Sequence, residues 1–204
     1  LHVIGSFQDE DARDVFLAGR SRRFSSIAKS AARRLADIDF ANDVTELQDP
    51  SGNRLEKLKG DGAGQWSIRI DDQYRVCFVW DGTDAQDVEI VDCHGSQGSE
   101  VMIQRKATDR LARIHPGEFL REDFMKPLGL SANALALGLR VPATRISEIV
   151  NERRGISVDT AARLSLYFGT TVEYWLRMQS AYDVATIETE LLPKLKKEVQ
   201  RRVA

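Results

Sequence analysis

The chain has 204 residues, 42% of them hydrophobic and 29% charged, with a formal net charge of −2. That length suits two domains of about 100 residues, each large enough for a modest core. No apolar run approaches the roughly 18 residues of a membrane span, and no charged region followed by an apolar stretch opens the chain, so neither a membrane nor export is expected and the cytoplasm is the default.

The net charge hides an asymmetry. Residues 1 to 94 carry 12 Lys and Arg against 18 Asp and Glu, a balance of −6, whereas residues 95 to 204 carry 17 against 13, a balance of +4. Two halves of opposite sign attract, and complementary fields orient association more than they add affinity. The cysteines Cys77 and Cys93 fit no metal or redox spacing, and His2, His94 and His115 are scattered, so no metal and no cofactor is expected.

In chain order, an apolar stretch from His2 to Ser6 precedes Asp9-Glu10-Asp11, an acidic helix start running through Val15, Phe16 and Leu17 to a stop at Gly19. A second helix begins after Ser25 or Ser26. It carries Ile27, Ala31, Leu35 and Ile38 on one face and charges on the other. From Arg54 the pattern is that of strands: Leu55 to Leu58, Gln65 to Ile70, Tyr74 to Trp80 and Asp87 to Cys93, separated by turn signals. Two helices and a meander predict an α+β domain, the helices packed on an antiparallel sheet whose other face is open to a ligand.

A Gly/Ser-rich joint, Gly95 to Glu100, leads to Met102. Six residues span at most roughly 20 Å, so the domains must lie side by side or exchange between chains. Pro116 then enters the first turn of a helix reaching Phe124, and Ser131 caps a helix through Leu135, Ala136 and Leu139. A turn at Val141-Pro142 leads to a third helix with Ile146 and Ile149 inward. This is helix, turn, helix. Ala143, Thr144, Arg145, Ser147 and Glu148 are left to face bases, with Arg145 the best reader. Arg153 and Arg154 are phosphate contacts or solvated loop charges, and Ser131 offers its hydroxyl and the helix-start amides to a phosphate. Ser157 and Thr171 open two further helices, completing a five-helix all-α domain. Leu191, Leu192, Leu195 and Val199 mark an amphipathic terminal helix, with Pro193 in its path, that suggests a dimer or partner contact.

Residues 52 to 60 (Gly52-Asn53-Arg54-Leu55-Glu56-Lys57-Leu58-Lys59-Gly60), Trp66-Ser67-Ile68-Arg69, Tyr74-Arg75-Val76-Cys77-Phe78 and Asp92-Cys93-His94 together resemble HigB toxins of the RelE superfamily. The resemblance implies a RelE-like ribonuclease that cuts mRNA on the ribosome. Metal-free cleavage uses the 2′-hydroxyl as nucleophile and needs proton-transfer groups and fixed cations. His94 exchanges a proton near neutral pH, Asp92 projects from the same strand face, and Lys59 and Arg75 are phosphate clamps. Arg54 has a weaker claim on RNA, and Arg20, Arg22 and Arg23 either touch ribosomal RNA or form a solvated helix end. Glu56 stands where many HigB proteins have histidine, and serves as a base in its place; Cys93 replaces a usual aromatic and belongs in the core. Arg75 and Asp92 also admit a structural ion pair.

The second half resembles HigA antitoxins of the Xre-type helix-turn-helix class through His115-Pro116-Gly117-Glu118, Ile146-Ser147, Thr160-Ala161-Ala162-Arg163-Leu164 and Trp175-Leu176-Arg177-Met178-Gln179. His115, Glu118 and Trp175 read as packing and capping residues. The resemblance implies operator DNA as partner, bound by a homodimer through the C-terminal domain with recognition helices about 34 Å apart. Domains at 1–94 and 102–204, joined by 95–101, then predict a type II toxin–antitoxin module in one chain, its mRNA endonuclease held inactive by a promoter-repressing antitoxin. The alternative is a transcription regulator whose N-terminal domain is a non-catalytic binding module.

Overall fold

The computed structural model of the chain describes residues 3–48, 52–59, 63–93, 103–104 and 113–200. Helix α1 spans Glu10–Ala18, its Asp9 cap accepting from the Ala12 amide and its end set by Gly19 at φ 64°. Helix α2 spans Ala28–Phe40 and has no side-chain cap. Its apolar face holds Ala31, Leu35 and Ile38, but the opposite face is not solvated: Arg33, Arg34 and Asp37 are buried as well.

The strands are β1 (Ser6–Phe7), β2 (Glu56–Lys57), β3 (Gln65–Arg69), β4 (Tyr74–Trp80), β5 (Ala85–Asp92) and β6 (Ile103–Gln104), in the order β2-β3-β4-β5-β1-β6. The sheet is mixed, which corrects the expectation of an antiparallel meander. Strand β1 runs parallel to β5, with Phe7 opposite Val88, because the Asp39 carboxylate at the end of α2 accepts from the amides of Val3 and Ile4 and seats the leading segment there. Strand β6, beyond the Gly/Ser-rich joint, pairs with β1 at the sheet edge. Phe7, Val15, Phe16, Leu35, Ile38, Ile68, Val76, Phe78, Val88 and Ile90 form one core between the two helices and the sheet. Each such aromatic or aliphatic side chain contributes about 1.5–3 kcal/mol by leaving water.

The second part is helical. Helix α3 (Pro116–Phe119) continues into a π-helical stretch, Leu120–Met125, and is followed by α4 (Ala132–Leu139), α5 (Ala143–Val150), α6 (Val158–Phe168) and α7 (Val172–Thr186). Gly117 is required here, since a Cβ on it would lie 1.8 Å from the Ile149 carbonyl oxygen, where α3 crosses α5. Phe124 packs 4.8 Å from Trp175 and 4.9 Å from Phe168, between ring centroids, at the centre of a core that also holds Leu120, Leu135, Ile146, Ile149 and Leu164. A second π-helical stretch, Ile187–Leu191, leads into α8 (Leu192–Glu198), where Pro193 falls in the first turn. Ile187, Leu191 and Val199 are exposed there. Among the described residues no helix is long and apolar enough to cross a membrane.

The two cores are not separate. Ala36 and Phe40 of α2 belong to the helical cluster, and Ile114 packs against both. Helix α2 is therefore shared: one face completes the first core, the other the second.

Candidate functional site

On the sheet, Val76 and Phe78 point into the core, so alternation sends Arg75 and Cys77 to the opposite face. There the Arg75 guanidinium donates to Ser67 Oγ (3.1 Å) and to the Arg54 carbonyl (3.3 Å), and pairs with Glu56 (2.9 Å). Register explains the group: Ser67 lies opposite both Glu56 on β2 and Cys77 on β4, and Cys77 lies opposite Glu89 on β5. Burial, then nearby Asp9, raises the Glu89 carboxyl above its ordinary value, opposed by a hydrogen bond from Gln65. Burial pushes the Cys77 thiol up to about 12, so it stays protonated and is no nucleophile. A fixed guanidinium beside the exposed Glu56 carboxylate is equipped to hold a phosphate and exchange a proton.

The expected site is only partly assembled. Arg75, Glu56 and the Arg54 backbone come together. Lys59 is exposed beyond β2 and touches none of them among the described residues. Asp92 stands opposite Tyr74 while Arg75 stands opposite Val91, so the two leave opposite faces and form no ion pair with each other; Asp92 accepts from Gln73 (2.8 Å). His94 lies outside the described residues. Cys93 is exposed rather than in the core, because the chain leaves the sheet after Asp92. Arg20, Arg22 and Arg23 are exposed after α1, with Arg23 stacked 5.0 Å from the Phe24 ring centroid. Ser67 was missed, since only cross-strand register places it beside Arg75.

In the helical part, Ser131 caps α4 by accepting from the Ala134 amide (3.1 Å), and Arg140 at φ 56° turns the chain toward α5. With Ile146, Ile149 and Val150 buried, the outer side of α5 borders an open groove of about 820 Å³ lined by Asn133, Ala143, Thr144, Ser147, Glu148, Arg153 and Arg154. Five of the expected base readers and phosphate contacts thus share a wall with Glu148. Arg145 does not line it: it pairs with Asp159 (2.5 Å), which also takes Arg163 (3.0 Å). Those two cations hold the Asp159 carboxyl below its usual range. Asn133 was missed, although its place two residues after the Ser131 cap was a usable signal. His115 caps α3, its Nδ1 accepting from the Gly117 amide (3.0 Å), and meets Tyr182 edge-on at 4.7 Å between centroids. Burial lowers its pKa, which suits packing and capping.

Between these two faces lies the contact that sequence reasoning did not foresee. Arg33 pairs with Glu118 (2.8 Å) and Asp123 (3.0 Å), and Arg34 pairs with Asp123 (2.9 Å) and with Asp37 of its own helix (3.1 Å). The Tyr174 hydroxyl donates to Asp37 (2.7 Å), Arg177 donates to the Phe40 carbonyl (3.0 Å), and Phe40 meets Phe119 edge-on. Burial, with Asp123 adding to it, pushes Asp37 up to about 6, while Arg34 and Tyr174 pull it back. Buried charges persist only when paired in this way. The contact uses α2, so no described helical-domain residue bonds to Arg75, Glu56 or Arg54.

Residues 5–94 match the model of the RelE-like toxin of the type II toxin–antitoxin system HigB, and residues 122–175 match a helix-turn-helix model. Virulence-associated protein I of Dichelobacter nodosus is 54% identical over 82 residues, covering 40% of this chain and 76% of that protein. Toxin HigB-1 of Vibrio cholerae is 43% identical over 56 residues, 28% of this chain and 59% of the toxin. Antitoxin HigA-1 of the same organism is 32% identical over 71 residues, 35% of this chain and 67% of the antitoxin. Toxin-like and antitoxin-like matches thus fall on the sheet and helical parts in turn: through its helix-turn-helix segment the chain belongs to the HigA antitoxin family, and the segment before it is similar to HigB toxins.

Proposed function

We propose that the chain is a toxin–antitoxin module in one polypeptide: residues 1–94 an mRNA endonuclease acting on the ribosome in the cytoplasm, 95–101 a joint, and 102–204 the antitoxin that restrains it. The observation that carries this reading is the buried contact on α2, where Arg33 and Arg34 are matched by Glu118 and Asp123. In the nuclease, Arg75 with Lys59 takes the scissile phosphate, Arg54 and the Arg20, Arg22 and Arg23 cluster hold flanking RNA, and His94 and Glu56 supply proton transfer. The antitoxin reads operator DNA through Thr144, Ser147 and neighbouring groove residues, with Arg145 released from Asp159 onto DNA. As a homodimer it represses its own promoter, its recognition helices one DNA turn, about 34 Å, apart. None of the groove residues is among those that meet α2, so toxin and DNA need not compete.

The test is expression of residues 1–94 with and without 102–204. Growth arrest and RNA cleavage that the second segment relieves are expected; a folded 1–94 segment that neither arrests growth nor cleaves RNA overturns the toxin reading. The second reading, a regulator with a non-catalytic N-terminal module, is favoured by the Glu56 carboxylate occupying Arg75, and that same result would support it.

A further inference from the structure

Helix α2 and the Arg75 face lie on opposite sides of the sheet, yet a short chain of contacts joins them. Arg34, 7% exposed, is divided between two tasks. Its Nη1 meets Asp123 of the helical domain (2.9 Å), while its Nε donates to the Arg69 carbonyl at the end of β3 (2.9 Å). The Arg69 amide in turn donates to the Asn53 carbonyl (2.6 Å). Gly52 is packed between the same guanidinium and the helical domain, since a Cβ on it would lie 3.4 Å from Arg34 Nη2 and 3.6 Å from Pro127 Cγ. The Arg54 carbonyl then receives Arg75, and Glu56 pairs with it.

The segment so held does not rest in its own preferred state. Arg54 sits at φ 45°, a left-handed conformation costly for a residue with a side chain. Asn53 is fully buried, and its Oδ1 has no hydrogen-bond partner among the described residues. Such outliers persist only where the surroundings over-determine them, and they concentrate in segments that switch.

We propose that Arg34 couples docking to the Arg75 face: the guanidinium that captures Asp123 also fixes Gly52–Glu56, and so keeps Arg75 engaged by Arg54 and Glu56 instead of by a phosphate. The consequence for cleavage rests on the nuclease reading; the coupling itself does not. Undocking removes Asp123 and Pro127 together, and the strained segment relaxes. Inhibition then acts from the far side of the sheet without covering the site. Coupling of this kind demands a two-state element that both sites bias, and Gly52–Glu56 is that element.

Amide hydrogen exchange on the full-length chain tests this, comparing Asp123→Asn with Glu118→Gln, which weakens the same interface through Arg33 but does not touch Arg34. Asp123→Asn is expected to speed exchange at residues 53–57 and 69 about tenfold, and Glu118→Gln to leave them unchanged. Arg34→Lys keeps a cation at the interface but lacks the fork that reaches Arg69, and is expected to reproduce the effect if Asp123→Asn fails to fold. Unchanged exchange at 53–57 in both Asp123→Asn and Arg34→Lys, or equal acceleration in Glu118→Gln, overturns the coupling. RNA cleavage is read in parallel. Accelerated exchange with no cleavage in any variant upholds the coupling and sinks the nuclease reading, whereas cleavage released with exchange unchanged does the reverse.

Discussion

Replacing Tyr174 by Phe removes one oxygen from the interface and leaves the ring packed against Phe124 and Trp175. The lost hydroxyl is the donor to Asp37, and both groups are buried, so no solvent replaces it. At pH 7.5 Asp37 is ionised, and a hydrogen bond to a charged group contributes about 1.5–3 kcal/mol. At pH 5 a carboxyl titrating near 6 is mostly protonated, and the same bond falls to the neutral range of about 0.5–1.5 kcal/mol. Tyr174→Phe is therefore expected to cost about 2 kcal/mol at pH 7.5, a drop in unfolding midpoint of about 4–8 °C for a chain of this size, and about half that at pH 5. Urea unfolding at both pH values, followed through tryptophan fluorescence, measures it. A cost as large at pH 5 as at pH 7.5, or below about 0.5 kcal/mol at both, would refute the assignment of Asp37 as the ionised acceptor.

The wild-type interface carries its own pH signature. Asp37 is raised from 3.8 to about 6 in the docked state, so docking favours the protonated form; its stability falls as pH rises from about 4 to about 6 and is level above about 7. Two pH units correspond to about 3 kcal/mol, and Asp37→Asn should abolish that slope in calorimetric melts. Gly117→Ala drives a Cβ into the Ile149 carbonyl and should cost about 3 kcal/mol or more, read as a lowered melting temperature of the helical part. For operator binding, Asn133→Ala and Thr144→Ala are expected to weaken affinity by about 1–3 kcal/mol each, and Arg153→Ala to reduce the slope of log affinity against log salt by about one. Electrophoretic mobility shifts over a salt series check both; an unchanged slope would remove Arg153 from the phosphate contacts.

Local chemistry was legible in the sequence because it depends on neighbours along the chain. Ser131, Ser157 and Thr171 each cap the helix they precede, and Gly19 and Gly169 end theirs in the left-handed conformation, since a short polar side chain and a missing Cβ act within one turn. Apolar alternation likewise marked β3, β4 and β5, and the toxin-like and antitoxin-like motifs followed from the same linear record.

The residues alone carried the resemblance of each half, most of its helices and strands and the residue types available for chemistry. Only the tertiary structure decided which of those residues meet. Strand register separated Asp92 from Arg75 and delivered Ser67 instead, because a shift of one residue moves a side chain to the other face. The seat of Arg145 on Asp159 depends on how α5 crosses α6. The charged face of α2 looked solvated because its partners, Glu118 and Asp123, lie more than eighty residues away. Pairing across that distance is invisible to any local pattern, yet it decides whether four buried charges stabilise the fold or break it.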